Sequence, residues 1–84
     1  MSTQIHEPIT VGVVFERSRV KPAWFIWANR RYHVREVTQR WHTREGAAAI
    51  LHLGVSDGAT VFELAFNQQT LVWTMASVAT DDWG

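Results

Sequence analysis

Apolar residues recur at every second position along much of this 84-residue chain, and that period constrains the fold more than any other feature. Successive side chains of a β-strand point to opposite faces, so the alternation predicts half-buried strands rather than helices. Residues 9–16 show the pattern most clearly, with one apolar face formed by Ile9, Val11, Val13 and Phe15. The sequence therefore predicts an all-β protein.

Two turn signals indicate how the later strands pair. Asp57-Gly58 is a preferred pair for a two-residue hairpin turn, and it predicts Leu53 opposite Phe62. A four-residue connection over 67–70 then predicts Phe62 opposite Met75. Both turns predict that the same side chains of the middle strand face the core. A shift of the pairing by one residue would turn those side chains to the other face, so the agreement between the two turns supports the predicted register.

A further hairpin is predicted around Asn29-Arg30, because Asn tolerates positive φ. It sets Trp27 opposite Tyr32 and Phe25 opposite Val34 on an apolar face. Its other face combines aromatic, aliphatic and basic side chains, namely Trp24, Ile26, Ala28, Arg31, His33 and Arg35.

Residues 35–45 change the phase of the alternation. A bulge near Arg35-Glu36 would bend the strand and return Val37 and Trp41 to the apolar face. The opposite face would then carry Thr38, Arg40, His42 and Arg44. Residues 46–51 fit a strand, or a short helix because Ala and Leu favour one, and the pairing from Asp57-Gly58 favours the strand.

The predicted fold is a small antiparallel meander of five to six strands, bent into a barrel or roll, because a small sheet with one apolar face buries that face best by closing on itself. The alternative is an open sheet that dimerises through its apolar face. One domain spans 1–84, with a core at about 9–78 and tails at 1–8 and 79–84.

Composition limits the class of protein. The chain has no cysteine, so no disulfide or thiolate metal site can stabilise it. No apolar run approaches the ~20 residues of a membrane helix, and the N-terminus lacks the features of a signal peptide. These observations predict a cytoplasmic protein that does not bind membranes.

Charge is unevenly distributed along the chain. All eight basic residues lie between Arg17 and Arg44, where the only acid is Glu36, while the net charge of the whole chain is zero. Such asymmetry indicates either an anion-binding face or internal pairing of opposite charges. The candidate binding face is Trp24, Ile26, Arg31, His33, Arg35, Arg40, His42 and Arg44.

Two interpretations of that face stay open. Guanidinium groups bind phosphate by paired hydrogen bonds and aromatic rings stack on bases, so the face could bind single-stranded nucleic acid or another polyanion. Alternatively the arginines cover the outside of a sheet, with Arg35 stacked on Trp24 and with acids such as Glu16, Glu45 and Glu63 as ion-pair partners.

The histidines give no metal signature, and no catalytic residue or cofactor site is predicted. His52 is expected opposite Glu63 as a cross-strand pair. An enzyme would require two of His33, His42, His52 and Glu63 to converge in a pocket.

Several apolar residues fall on the outward parity: Trp24, Ile26, Ile50, Val61 and Val72. Together they would exceed the patch that a monomer usually exposes. The leading hypothesis is therefore an interaction module, not an enzyme, that self-associates or binds another protein through the Trp24/Ile26 face. Nucleic-acid or polyanion binding is the alternative.

The run from Pro22 to Val37, followed by Trp41, resembles a small bacterial β-rich domain of unknown function. Its members show a proline, Phe-x-Trp, a turn with Arg, Tyr-x-Val and then Trp, and residues 62–66 and 72–75 resemble its second half. The similarity covers roughly residues 11–76, although relatives often have Gly where this chain has Asn29. It implies no established activity and no catalytic residues.

Overall fold

The computed structural model describes residues 2–80, which form a single antiparallel sheet of seven strands in the order β3-β2-β1-β7-β6-β5-β4. The strands are β1 (Ser2–Glu16), β2 (Arg19–Trp27), β3 (Arg30–His33), β4 (Glu36–Glu45), β5 (Ala48–Ser56), β6 (Thr60–Asn67) and β7 (Val72–Thr80). Residues 2–80 contain no helix of the length and apolarity that a membrane span needs.

Strand β1 divides the sheet into two parts. Its first half, up to Ile9, pairs with β7, and its second half, from Thr10, pairs with β2. We call β2, β3 and the second half of β1 the three-stranded part, and the other strands with the first half of β1 the five-stranded part. Away from β1, the N–H of Val34 donates a hydrogen bond to β2 and the N–H of Arg35 donates one to β5. The chain therefore passes from the three-stranded part to the five-stranded part at these two residues.

The core lies between the two parts. Phe25 of the three-stranded part is fully buried, stacks on Tyr32 at 5.0 Å and meets the edge of Phe62 at 4.9 Å between ring centres. The other members of the central cluster all belong to the five-stranded part: Leu51, Leu53, Val55, Phe62, Leu64 and Met75. These are the residues whose alternation predicted the inward face.

The predicted faces of the hairpins are confirmed, but the partners in the first two differ by two residues. In the third, Phe62 pairs with Val78 rather than Met75, because the register also shifts between Glu63 and Leu64. The first turn is Ala28-Asn29, both with positive φ, so Phe25 pairs with Tyr32 rather than Val34. In the second hairpin Leu53 pairs with Leu64 rather than Phe62. A shift of two residues keeps each side chain on its face, which explains why the faces survive these errors.

The predicted faces of β4 are wrong. The bulge lies at Thr38, between the pairs Val37–Val55 and Gln39–Gly54. Val37 packs on the core, but beyond the bulge Trp41 pairs with His52 on the outer face. The other parity therefore turns to the core side, where Arg40, His42 and Arg44 pair with Leu53, Leu51 and Ala49.

Residues 2–80 form seven strands rather than five or six, because β3 and β4 separate where the chain passes between the two parts. The sheet is not closed into a barrel, since β3 and β4 are its unpaired ends. Residues 2–8, expected to be a tail, belong to β1 and pair with β7. Of residues 46–51, the first two form a turn and 48–51 are strand, as favoured. Of the predicted tail at 79–84, residues 79 and 80 belong to β7, and 81–84 lie outside the described residues.

Candidate functional site

A groove follows the side on which the sheet fails to close. Strand β3 covers β2 only from Trp24 to Trp27, so Arg19–Pro22 has no partner on that side within the described chain. The first half of β4 faces it across a cavity of about 660 Å³. We call this cavity the seam; it is lined by Glu16, Arg19, Lys21, Arg35, Glu36, Val37, Thr38, Gln39 and Arg40.

The seam is basic. Its lining contains four cationic side chains, those of Arg19, Lys21, Arg35 and Arg40, against the two carboxylates Glu16 and Glu36. Across residues 2–80, no arginine or lysine nitrogen lies within 4.0 Å of a carboxylate oxygen. Within this range, the expected ion pairs with Glu16, Glu45 or Glu63 are therefore not seen.

Only part of the seam was predicted. Arg35 and Arg40 belong to the predicted face, whereas Arg19 and Lys21 were assigned to a loop. Both lie on β2, where they flank the half-buried Val20. This alternation of polar and apolar residues continues β2 back to the turn at Arg17-Ser18, opposite Phe15 and Glu16. It is the sequence signal that would have placed both residues on a strand rather than in a loop.

The other predicted residues occupy separate surfaces. Trp24, Ile26, Arg31 and His33 share the outer face of the three-stranded part, since Trp24 pairs with His33 and Ile26 with Arg31. Trp24 lies flat against Gly12, so closely that a Cβ there would be 2.1 Å from its ring. Arg31, not the predicted Arg35, stacks on Trp24, at 4.6 Å from the ring centre.

Arg35 lies instead beside the β5–β6 turn, where its side chain packs against Gly58. His42 and Arg44 lie on the exposed second half of β4, in the five-stranded part. The predicted face is thus split among the three-stranded part, the seam and the end of β4.

A polar cluster occupies the outer face of the five-stranded part. Nε2 of His52 lies 2.7 Å from Oγ1 of Thr43, and its ring stacks on Trp41 at 5.0 Å with 5° between the planes. Nδ1 of His52 is buried and lies 3.4 Å from Oε2 of Glu63, without an aligned hydrogen bond. The predicted pair is thus in contact, although His52 stands opposite Ala65 and reaches Glu63 diagonally.

This cluster lines a cavity of about 320 Å³. His52 and Glu63 do converge there with a hydroxyl group, whereas His33 and His42 lie elsewhere. Each ring nitrogen of His52 already faces a protein group, Thr43 on one side and Glu63 on the other. These contacts hold the imidazole ring against the outer face of the sheet.

Asp57 organises the turn beside Arg35. Its Oδ1 accepts hydrogen bonds from the N–H groups of Ala59 at 2.9 Å and Thr60 at 2.8 Å. Burial acts to raise the pKa of Asp57, but these hydrogen bonds and the positive charge of Arg30 outweigh it and lower the pKa. Asp57 is therefore held as a carboxylate that supports the turn.

Within residues 2–80, no three His, Cys, Asp or Glu side chains are placed to share a metal ion. Comparison of the chain with family models, with curated proteins and with solved structures gave no match. The resemblance to a small bacterial domain stays a prediction, and the argument about function rests on the surfaces described above.

Proposed function

We propose that the protein is a small binding module, not an enzyme, that holds an extended acidic segment of a partner protein in the seam. The observation that carries this proposal is the group of four seam cations, which have no carboxylate partner among the described residues and lie between the free edge of β4 and the uncovered edge of β2 at Arg19–Pro22. A polypeptide can use both features, because its backbone pairs with a free edge while its carboxylates pair with guanidinium groups. A cytoplasmic location belongs to the proposal and is supported by the absence of cysteine.

Single-stranded nucleic acid is the second candidate ligand, because the same cations would attract phosphates. Such ligands gain much of their affinity from bases stacked on aromatic rings, at about 1–3 kcal/mol each. The seam lining contains no aromatic residue. This difference favours an acidic peptide over nucleic acid.

Fluorescence anisotropy with a labelled oligoglutamate and a labelled oligothymidylate tests the proposal and its alternative. We expect the oligoglutamate to bind more tightly, with affinity falling between about 50 and 200 mM salt. Replacing Arg35 and Arg40 by Gln should weaken binding at least about tenfold, since each charge-assisted hydrogen bond contributes about 1.5–3 kcal/mol.

The matched control replaces Arg17 and Arg31 by Gln, which removes the same charge from positions that lie neither in the seam nor on β4. Equal losses in the two double variants would show a non-specific charge effect and would contradict the seam as the site. Tighter binding of oligothymidylate would favour the nucleic-acid alternative.

Self-association through the outer face of the three-stranded part is a separate candidate. The observation that favours it is the exposure of Ile26 (41%) and of Val14 (49%), which lies on the neighbouring strand of that face. Trp24 contributes less than expected, because Gly12 and Arg31 cover its two faces. A homodimer that uses this face should dissociate when Ile26 is replaced by Lys; a monomer at all concentrations in sedimentation would remove this candidate.

A further inference from the structure

Strand β4 presents a long free edge. It has ten residues, pairs only with β5, and receives no backbone hydrogen bond from its other side within residues 2–80. The other end of the sheet, β3, has only four residues. Natural sheets usually shorten, charge or cover an edge of this length, because it offers unpaired N–H and C=O groups to any extended chain.

Trp41 adds a side-chain feature to this edge. Its ring stacks on His52 of the neighbouring strand at 5.0 Å and is parallel to it within 5°. That separation is close to the spacing of adjacent strands, about 4.8 Å. A strand added to β4 would repeat the spacing, and its residue opposite Trp41 would stack on the free side of the indole.

The other face of β4 is basic. Arg40, His42 and Arg44 alternate there, and no carboxylate lies within 4.0 Å of either arginine in the described part of the chain. A strand added to β4 would bring its own alternate residues opposite these three. Acidic side chains at those positions would supply the missing partners.

We propose that β4 is a strand-addition site for an extended partner segment with acidic residues opposite Arg40, His42 and Arg44 and an aromatic residue opposite Trp41. This inference rests on the proposed binding of an acidic segment and specifies its mode. A partner segment that continues along β4 from Arg40 towards Glu36 enters the seam, where Arg19 and Lys21 line the far wall. Main-chain hydrogen bonds supply affinity and the alternating side chains supply specificity.

A second copy of β4 matches this edge less well than an acidic partner. Opposite residues of an antiparallel ladder share a face, so registers centred on Arg40, Trp41 or His42 would set Arg40 opposite Arg40, His42 or Arg44 of the other copy. Each of these registers places basic side chains opposite one another, which disfavours the pairing. Charge complementarity therefore selects a different chain as the occupant.

The test uses the full-length protein and the peptide acetyl-Lys-Glu-Thr-Glu-Tyr-Glu-amide, written to pair antiparallel with β4 from Glu45 to Arg40. Two further versions carry N-methyl groups on alternate amides, one set for each edge of the peptide strand. We expect one methylated peptide to lose binding at least about tenfold and the other to bind more tightly than it, because only one edge faces β4. Replacing the peptide Tyr by Ser should weaken binding about threefold to tenfold.

Hydrogen exchange of the complex gives the second readout. The β4 amides that point away from β5 should exchange rapidly in the free protein and become protected when the peptide binds. Equal binding of all three peptides, or binding without protection of β4, would overturn strand addition while leaving anion binding in the seam intact. Protection of β4 that rises with protein concentration alone would overturn it in favour of self-pairing.

If the peptide does not bind but the oligoglutamate does, strand addition is again overturned. If neither binds, the proposed function itself fails. The Trp41→Thr variant completes the set: it should lose the preference for Tyr over Ser and still bind oligoglutamate.

Discussion

The seam and the His52 cluster are both polar, but they differ in how their groups are partnered. On the outer face of the five-stranded part, the imidazole of His52 is stacked on Trp41, bonded to Thr43 and in contact with Glu63. In the seam, four cations line an open cavity and none is paired with a carboxylate in the described chain. Histidine and carboxylate together suggest catalysis in a sequence, but we propose that here they support the sheet.

This difference in partnering indicates which of the two surfaces we expect to bind a ligand. A polar group that already has protein partners loses them when a ligand binds, so part of the gain is cancelled. The seam cations have no carboxylate partner within residues 2–80 that a ligand would displace. We therefore expect substitutions in the His52 cluster to change stability and substitutions in the seam to change binding.

The largest effect is expected where the three-stranded part is attached to the rest of the protein. Phe25 is its one residue in the buried central cluster, among residues 2–80. Phe25→Ala should cost about 3–5 kcal/mol in the free energy of unfolding, since it leaves a cavity against Tyr32 and Phe62. Urea denaturation measures the loss.

The neighbouring Ile26→Ala is the control, because Ile26 is exposed and its loss should stay near 0.5 kcal/mol. Because the seam lies between the two parts, Phe25→Ala should also weaken anion binding under conditions in which the protein is still folded. A variant that kept full binding would mean that the seam does not depend on how the two parts are held together.

A smaller effect is expected in the His52 cluster. His52→Ala removes the hydrogen bond with Thr43 and the stack with Trp41, so it should destabilise the protein by about 2 kcal/mol. Oligoglutamate binding should not change. His42→Ala, on the exposed part of β4, should change stability by less than about 0.5 kcal/mol.

A different variant of this cluster, Thr43→Val, tests whether the cluster is catalytic. Thr43, His52 and Glu63 have the order of a hydroxyl, a base and a carboxylate. If the protein hydrolyses an activated ester and Thr43→Val abolishes that activity, the cluster is a reactive site and the contrast with the seam is wrong. We expect no activity beyond that of free imidazole.

Sequence patterns predicted which side chains face the core better than they predicted which residues pair across neighbouring strands. A turn displaced by one residue, as at Ala28-Asn29, moves each partner by two and leaves the face unchanged. A bulge has the opposite effect. Val37 and Trp41 are both apolar, so the pattern could not reveal that the bulge at Thr38 would send Trp41 to the outer face and Arg40 to the core side.

The candidate site was harder to predict than the fold, because it depends on where the sheet fails to close. Nothing in the local sequence of Arg19 or Lys21 indicates that β3 ends before it covers them. That outcome follows from Arg35, whose N–H bonds to Ser56 and draws the chain to the other part of the sheet. A two-residue passage between parts of a sheet is a tertiary property, and local alternation does not report it.

The smallest effect concerns the turn beside the seam and sharpens the electrostatic side of the comparison. The lowered pKa of Asp57 means that its contribution to stability is fully present above the unfolded pKa of about 3.9 and is lost as pH falls through the lower folded value. Asp57→Asn keeps an Oδ1 acceptor for Ala59 and Thr60 but does not titrate. In urea titrations at about pH 6 and pH 3, the wild type should therefore lose more stability on acidification than this variant.

Two further variants test the role of Arg30. Arg30→Gln should lose less stability on acidification than the wild type, because Arg30 helps to lower the pKa of Asp57. Arg17→Gln should behave like the wild type. An identical pH dependence in all four proteins would show that the carboxylate of Asp57 does not stabilise the turn through its charge.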